Sequence, residues 1–197
     1  MISSPKRRSI GARPNPAAEA AILAAAREVI AEKGYAGFSI EEVARRAGAG
    51  KPTVYRRWPT KAELFVAVYS DDKAAAMAPP DTGALASDVA EYTARLWRFW
   101  RETPLGRTFR ALIAEAQTGE AALAALRDKF LAERLPDLRR MFAAAAARGE
   151  IAPARVDALV ELYVGFNWVR LLTGRIAEDA DGIAAVAAIL VRGGGDR

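Results

Sequence analysis

The 197-residue sequence contains neither cysteine nor histidine. The absence of cysteine excludes disulfides and thiolate-bound metals, and it favours a cytoplasmic protein. The absence of histidine excludes imidazole-bound metals and catalytic triads built on a histidine base. We therefore expect no metal and no cofactor, and any catalysis would depend on acidic, lysine, serine or tyrosine side chains.

Long apolar runs and alternating strand patterns are also missing. The uncharged apolar run from Ile183 to Val191 is far shorter than the roughly 20 residues that span a bilayer. Lys6-Arg7-Arg8 is followed by polar and turn-forming residues rather than by the apolar core of a signal peptide. Because apolar residues recur at helical spacing instead, the sequence predicts an all-α fold that does not contact a membrane.

Positive charge is concentrated near the N-terminus. Residues 1–61 carry 12 lysines and arginines against 5 acidic residues, a net charge of +7, whereas residues 62–197 carry 17 against 19, a net charge of −2. This asymmetry indicates one part that faces nucleic acid and another part with a different task. An accidental asymmetry of the surface is the alternative.

The N-terminal region has the start and stop signals of four short helices. Residues 1–14 are rich in cations, proline, glycine and serine, and are predicted to be a disordered basic arm. The helices are delimited by Asn15-Pro16, Gly34, the capping box Ser39-Ile40-Glu41-Glu42, Gly48-Ala49-Gly50, Pro59 and the capping box Thr60-Lys61-Ala62-Glu63. The pattern predicts a helix-turn-helix motif over residues 39–58, with an ordinary helical corner as the alternative.

The charge on the third predicted helix favours the helix-turn-helix motif. Val54 and Trp58 are four residues apart and share one face of this helix. Lys51, Arg56 and Arg57 are not needed for that packing. A short helix that is basic outside and anchored inside suits a DNA groove, so we predict DNA binding. Either arginine can make bidentate contacts to guanine, and the sequence leaves open which one does.

Residues at fixed spacing extend this pattern. They are Phe38-Ser39-Ile40, Val43-Ala44, Ala47-Gly48, Lys51, Thr53-Val54-Tyr55, Trp58, Pro59-Thr60-Lys61 and Glu63-Leu64. In these residues the region resembles the DNA-binding domain of the TetR (tetracycline-repressor-like) family of transcriptional regulators. Three positions depart from the family pattern. Ala49 replaces a larger aliphatic residue, Trp58 replaces a smaller aromatic one, and Gly50 replaces a serine N-cap, which puts one phosphate contact in doubt.

The resemblance implies two domains and a set of DNA contacts. Residues 15–75 would bind DNA, and residues 76–197 would form a helical effector-binding and dimerisation domain. Lys51 and Thr53 would face bases or phosphates, and Lys61 would contact the backbone. Ser39 and Tyr55 would contact phosphates. The positive end of a helix independently favours phosphate contacts at such positions.

The C-terminal part offers candidates for two further interactions. The segment Val156–Leu172 is apolar on nearly every face, so it is either buried in its own domain or covered by a second chain. The resemblance implies the second option, a homodimer formed through the last two helices. It also implies a small apolar or aromatic effector, for which the candidate contacts are Trp97, Trp100, Phe109, Phe142 and Trp168. Each of these aromatics is otherwise an ordinary core residue.

The leading hypothesis is a regulator without enzymatic activity. It would be a homodimeric repressor that binds a palindromic operator in double-stranded DNA and is released by a small molecule. A transcriptional activator, or a regulator without a ligand, is a further alternative. The alternative from another class is an all-helical small-molecule-binding protein or enzyme whose basic head is incidental.

Overall fold

Ten α-helices make up the part of the chain that the computed structural model describes, residues 16–177 and 179–194 without the side chains at 74–76 and 194. They are α1 (Pro16–Gly37), α2 (Ile40–Arg46), α3 (Lys51–Arg57), α4 (Lys61–Ala76), α5 (Leu85–Glu102), α6 (Pro104–Ala116), α7 (Glu120–Ala124), α8 (Ala132–Ala147), α9 (Val156–Leu172) and α10 (Ala180–Gly194). These residues contain no strand, so the predicted all-α fold is confirmed. The predicted basic arm, residues 1–14, lies outside the described residues.

No helix in these ranges combines the length and the apolar character that a membrane span requires.

Local capping fixes the start of α2 and of α4. The Ser39 hydroxyl accepts a hydrogen bond from the backbone N–H of Glu42 at 3.3 Å, and Thr60 does the same for Glu63 at 3.1 Å. These bonds satisfy donors that have no partner inside the helix. The carboxylate of Glu42 lies among Lys33, Arg45 and Arg46. It therefore ties α1 to α2, a role that the capping pattern does not predict.

The turn between α2 and α3 depends on one glycine. Gly48 adopts a φ of 62°, which residues with a side chain rarely tolerate. The N–H of Ala49 reaches the carbonyl of Ala44 at 2.9 Å, and the N–H of Gly48 reaches that of Arg45 at 3.4 Å. This pair of bonds is a Schellman motif, which ends α2 and sets the direction of α3.

Helix α4 contributes side chains to the hydrophobic cores of both the N-terminal unit and the C-terminal domain. Near its start, Phe65 packs edge-on against Tyr35, with ring centroids 5.2 Å apart, inside the N-terminal helical unit. One turn later, Tyr69 stacks on Phe109 at 4.5 Å and meets Phe130 at 5.4 Å, both in the C-terminal domain. Helix α4 therefore joins the unit formed by α1 to α3 to the C-terminal domain, and α1 also packs directly on α6.

The C-terminal domain is organised around α5. Helix α10 packs along α5, and α9 contacts both α5 and α8. Two buried hydrogen bonds join α5 to α9, one between the hydroxyls of Thr93 and Tyr163 at 2.8 Å and one from Trp97 Nε1 to Asn167 at 2.9 Å. These bonds satisfy polar groups inside an apolar core and fix the register of the two helices.

The stretch from Glu120 to Ala147 is nearly continuous but not uniform. A π-helical segment, Ala125–Leu131, separates α7 from α8. Pro136 lies within α8, which continues through it. The irregularity is the π-helical segment, which ends five residues before Pro136 and packs on α4, and π-helical turns of this kind are frequent at functional sites.

Candidate DNA-binding surface and internal cavity

Helix α3 is anchored on one side and exposed on the other. Val54 is fully buried and Trp58 nearly so, and both pack in the core of the N-terminal unit. Lys51, Thr53 and Arg56 are exposed. Two apolar contacts therefore hold the short helix against the protein while its remaining faces point to solvent.

The structure distinguishes the two arginines of α3. Arg57 pairs with Glu19 of α1 at 2.9 Å, and its guanidinium lies 5.9 Å from the centre of the Trp58 ring. Arg56 forms no hydrogen bond or ion pair within the described part of the chain. Since Arg56 is two positions from both Val54 and Trp58, it projects from the face opposite the anchors.

Two of the predicted phosphate contacts adjoin α2, since Ser39 caps this helix and Tyr55 reaches it from α3. The Tyr55 hydroxyl donates a hydrogen bond to Glu41 at 2.6 Å, which lowers the pKa of Glu41 and raises that of Tyr55. The Ser39 oxygen accepts the α2 cap bond, and its own O–H can still donate to an anion. Glu41 is an acidic group on a surface that is otherwise suited to DNA.

Lys61, the remaining predicted contact, faces the C-terminal domain. Its Nζ lies 3.4 Å from Glu115 of α6 and 4.2 Å above the Tyr35 ring. A cation between a carboxylate and an aromatic face is stabilised by both. The side chain is still about one-third exposed, so Lys61 lies where the N-terminal unit meets α6.

A small internal cavity lies among α4, α5, α8 and α9, with a volume of about 30 Å³. Of the aromatics named from the sequence, Trp100 and Trp168 line it. The other three do not. Phe109 packs between Tyr69 and Phe130, Trp97 bonds to Asn167, and Phe142 packs near Tyr163.

Sequence reasoning missed two cations in the cavity wall, Lys73 of α4 and Arg134 of α8. Lys73 is only 5% exposed, and its Nζ lies 5.5 Å from the centre of the Tyr92 ring. Burial, with Arg134 as a second cause, lowers the pKa of Lys73 to about 7, whereas Asp137 acts in the opposite direction. A lysine among apolar positions of α4 was the available signal.

The short basic helix α3 follows α2 after a glycine turn and packs on the core of the N-terminal unit. This arrangement is a helix-turn-helix motif, and it indicates a transcriptional regulator that binds DNA. Residues 22–68 match the family described as bacterial regulatory proteins, tetR family. Residues 79–190, more than half of the chain, match the tetracyclin repressor-like C-terminal domain. The chain therefore belongs to the TetR family, as the sequence resemblance implied.

Individual relatives agree with this assignment. An HTH-type transcriptional regulator of Mycobacterium tuberculosis is 32% identical over 149 residues, which cover 75% of this chain and 73% of the relative. The crystal structure of the TetR family transcription regulator SCO0332 is 30% identical, with a TM-score of 0.79 over 89% of this chain and 97% of that one. RolR in complex with resorcinol, 23% identical with a TM-score of 0.67 over 91% and 88%, has the same fold.

These relatives are transcriptional regulators rather than enzymes. The alternative of an enzyme or carrier with an incidental basic head is therefore not favoured.

The buried Lys73 makes stability depend on pH in a defined direction. With a pKa of about 7 in the folded chain against an ordinary value of 10.5, it binds fewer protons folded than unfolded between those values. The free energy of unfolding therefore rises with pH across this window. We predict that Lys73→Met stabilises the protein by about 1–4 kcal/mol below pH 7, and that this gain shrinks towards pH 10.

Urea unfolding followed by circular dichroism at a fixed protein concentration measures this difference. Lys129→Met, which removes an exposed lysine from the neighbouring π-helical segment, is the matched control. It should change neither the free energy of unfolding nor its dependence on pH. If Lys73→Met raised the free energy of unfolding by the same amount at all pH values, burial would not lower the pKa of Lys73.

Proposed function

We propose that the chain is a homodimeric repressor that binds a palindromic operator through α3 and leaves it when a small molecule occupies the internal cavity. The observation that carries the proposal is the orientation of α3. Its anchors Val54 and Trp58 are buried, and its cationic side chains are exposed. Membership of the tetR family supports a role for this exposed basic helix in transcriptional regulation.

We assign the DNA contacts in two groups. Arg56 reads a base, because it is exposed opposite the anchors and is not paired within the described residues. Lys51 and Thr53, at the start of α3, contact bases or phosphates, where the helix dipole favours anions. The phosphate contacts on the flanks are Ser39, Tyr55, Lys61 and, once released from Glu19, Arg57.

Helix α4 supports the proposed release. Lys61 at its start and Lys73 near its end are twelve residues apart, which is about 18 Å along a helix. A ligand that displaces α4 at the cavity therefore moves the N-terminal unit as well. The family matches to residues 22–68 and 79–190 support the proposed division into residues 15–75 and 76–197, with α4 as the connection.

The exposed apolar side chains of α9 and α10 support a dimer. Leu162 is 64% exposed and Ile189 66%, and Val169 and Leu172 are about half exposed. Residues 162, 165, 169 and 172 follow one another at intervals of three and four, so they form a stripe along α9. A second chain would cover these residues. The second chain would also supply a second α3, because helix-turn-helix proteins bind DNA specifically as dimers on two half-sites.

The cavity and the fold relative together support an effector. RolR, which has the same fold, was solved with the small molecule resorcinol. For a dimer to respond, the ligand must bind better to a conformation in which the two α3 helices miss successive major grooves. Those grooves are about 34–36 Å apart.

The direct test is binding of the full chain to the DNA upstream of its own gene. We expect affinity that exceeds that for a scrambled duplex and falls steeply with salt, because phosphate contacts release counterions. Equal affinity for both duplexes would contradict a regulator that reads sequence.

The comparison of Arg56→Ala with Arg57→Ala tests the assignment of the base contact. Arg56→Ala should reduce discrimination at one base pair by about 1–3 kcal/mol. Arg57→Ala should weaken all sequences alike, since Arg57 is placed with the phosphate contacts. Fluorescence anisotropy on a panel of single-base-pair variants measures both effects. The assignment is reversed if Arg57→Ala relaxes one position and Arg56→Ala relaxes none.

The dimer is tested by a negative charge at the exposed apolar side chains of α9 and α10. Ile189→Glu and Leu162→Glu should each produce monomers, because a carboxylate would be buried without a partner, and operator affinity should fall with dimerisation. Leu123→Glu, at an exposed leucine of α7, is the matched control. Sedimentation velocity gives the mass, and a wild-type chain that sediments as a monomer would exclude this interface.

A further inference from the structure

We propose that the ligand of the internal cavity is an apolar monocarboxylate, whose anionic group binds between Lys73 and Arg134. The inference rests on the proposed role of this cavity as the effector site, and it specifies the chemical class of the effector. It depends on four features of the cavity: a buried lysine, a buried arginine, the local balance of charge and the apolar wall.

Lys73 is the first of these features. It is 95% buried, it lines the cavity, and the described residues provide no hydrogen-bond or ion-pair partner for its amine. An ammonium group without a counterion is costly inside a protein. A carboxylate in the cavity would supply that counterion, and it would reverse the lowering of the Lys73 pKa that burial imposes.

Arg134 presents a second unused donor to the same space. Its side chain is only 12% exposed, and its buried Nε has no hydrogen-bond partner. One terminal nitrogen donates to the Ser70 carbonyl at 3.3 Å. Buried donors without partners are rare in folded proteins, so this one marks a place where a ligand atom would be an acceptor.

The balance of charge favours one negative charge on the ligand. Asp137 is the acidic group near the two cations, and it lies 3.9 Å from Arg134. Its carboxylate already accepts a hydrogen bond from Arg140. A bound anion favours the protonated form of Lys73, so Lys73 and Arg134 are then positive and Asp137 is negative. Arg140 is a further cation beside Asp137, but its side chain is 73% exposed and its charge is screened by solvent. The buried part of the site therefore carries one net positive charge, which a monoanion neutralises and a dianion exceeds.

The rest of the wall favours an apolar body on the ligand. The aromatic rings of Trp100, Phe130 and Trp168 line the cavity, with leucines from the π-helical segment and α8. The present volume of about 30 Å³ holds about one water molecule. A larger ligand must therefore displace wall side chains, and Leu131, Leu135 and Trp168 are only half-buried. Because Lys73 is on α4 and Arg134 on α8, the carboxylate would join the two helices.

Binding of matched carboxylates and amides tests the proposal. The probes are octanoate and 3-phenylpropionate, with octanamide and 3-phenylpropanamide as neutral counterparts of equal size. Titration calorimetry on the full chain, together with quenching of tryptophan fluorescence, should show at least about tenfold tighter binding of each acid than of its amide. Lys73→Met and Arg134→Gln should each remove this preference, and Lys129→Met should retain it.

Circular dichroism and DNA binding without ligand show whether each variant is folded. If Arg134→Gln does not fold, the result for Lys73→Met decides. Equal binding of acids and amides, no saturable binding of either acid, or a preference that survives in folded Lys73→Met would overturn the proposal.

The proposed regulatory function is judged separately by operator binding without ligand. A chain that binds its operator but not the acids retains that function and loses this ligand class. A chain that binds the acids without releasing DNA retains the ligand class and loses the proposed release.

Discussion

The packing of Tyr69 is the contact on which the rest of the structure depends. Its ring lies among Phe99, Phe109 and Phe130, and its hydroxyl accepts a hydrogen bond from Trp100 Nε1 at 2.8 Å. Tyr69 is fully buried, so α4 cannot shift at this point without rearranging aromatic side chains of three other segments. The helix that begins beside the DNA-binding surface is thereby fixed in the core that surrounds the cavity.

Acidic side chains hold several of the groups assigned to DNA. Arg57 pairs with Glu19, Lys61 with Glu115, and the Tyr55 hydroxyl bonds to Glu41. Exposed pairs of this kind contribute little to stability, and phosphates can replace the carboxylates as partners. The pairs hold these side chains at the surface while the chain is free. In the proposed function, specific binding then depends on Arg56, which has no competing partner within the described residues.

Local signals made the N-terminal unit predictable. Ser39, Thr60 and Gly48 determine helix ends through bonds to neighbouring backbone groups, so their effects are readable within a few residues. The cavity was less accessible to such reasoning. Lys73 and Arg134 are 61 positions apart in the sequence, and only the packing of α8 on the rest of the domain brings both to one space. Of the five candidate aromatics, Trp100 and Trp168 line the cavity and the other three pack elsewhere in the core. Helical spacing in the sequence does not distinguish these two groups.

In the proposed function, α4 couples the DNA-binding surface to the cavity. Coupling between sites is reciprocal, so DNA bound at α3 must alter the cavity wall even without an effector. Hydrogen–deuterium exchange of the full chain measures this directly. The chain is compared alone and in complex with a DNA duplex that it has been shown to bind specifically. The coupling predicts changed protection in α3, in α4 and in the π-helical segment Ala125–Leu131. Changes confined to residues 39–61, with the cavity wall unaffected, would contradict it.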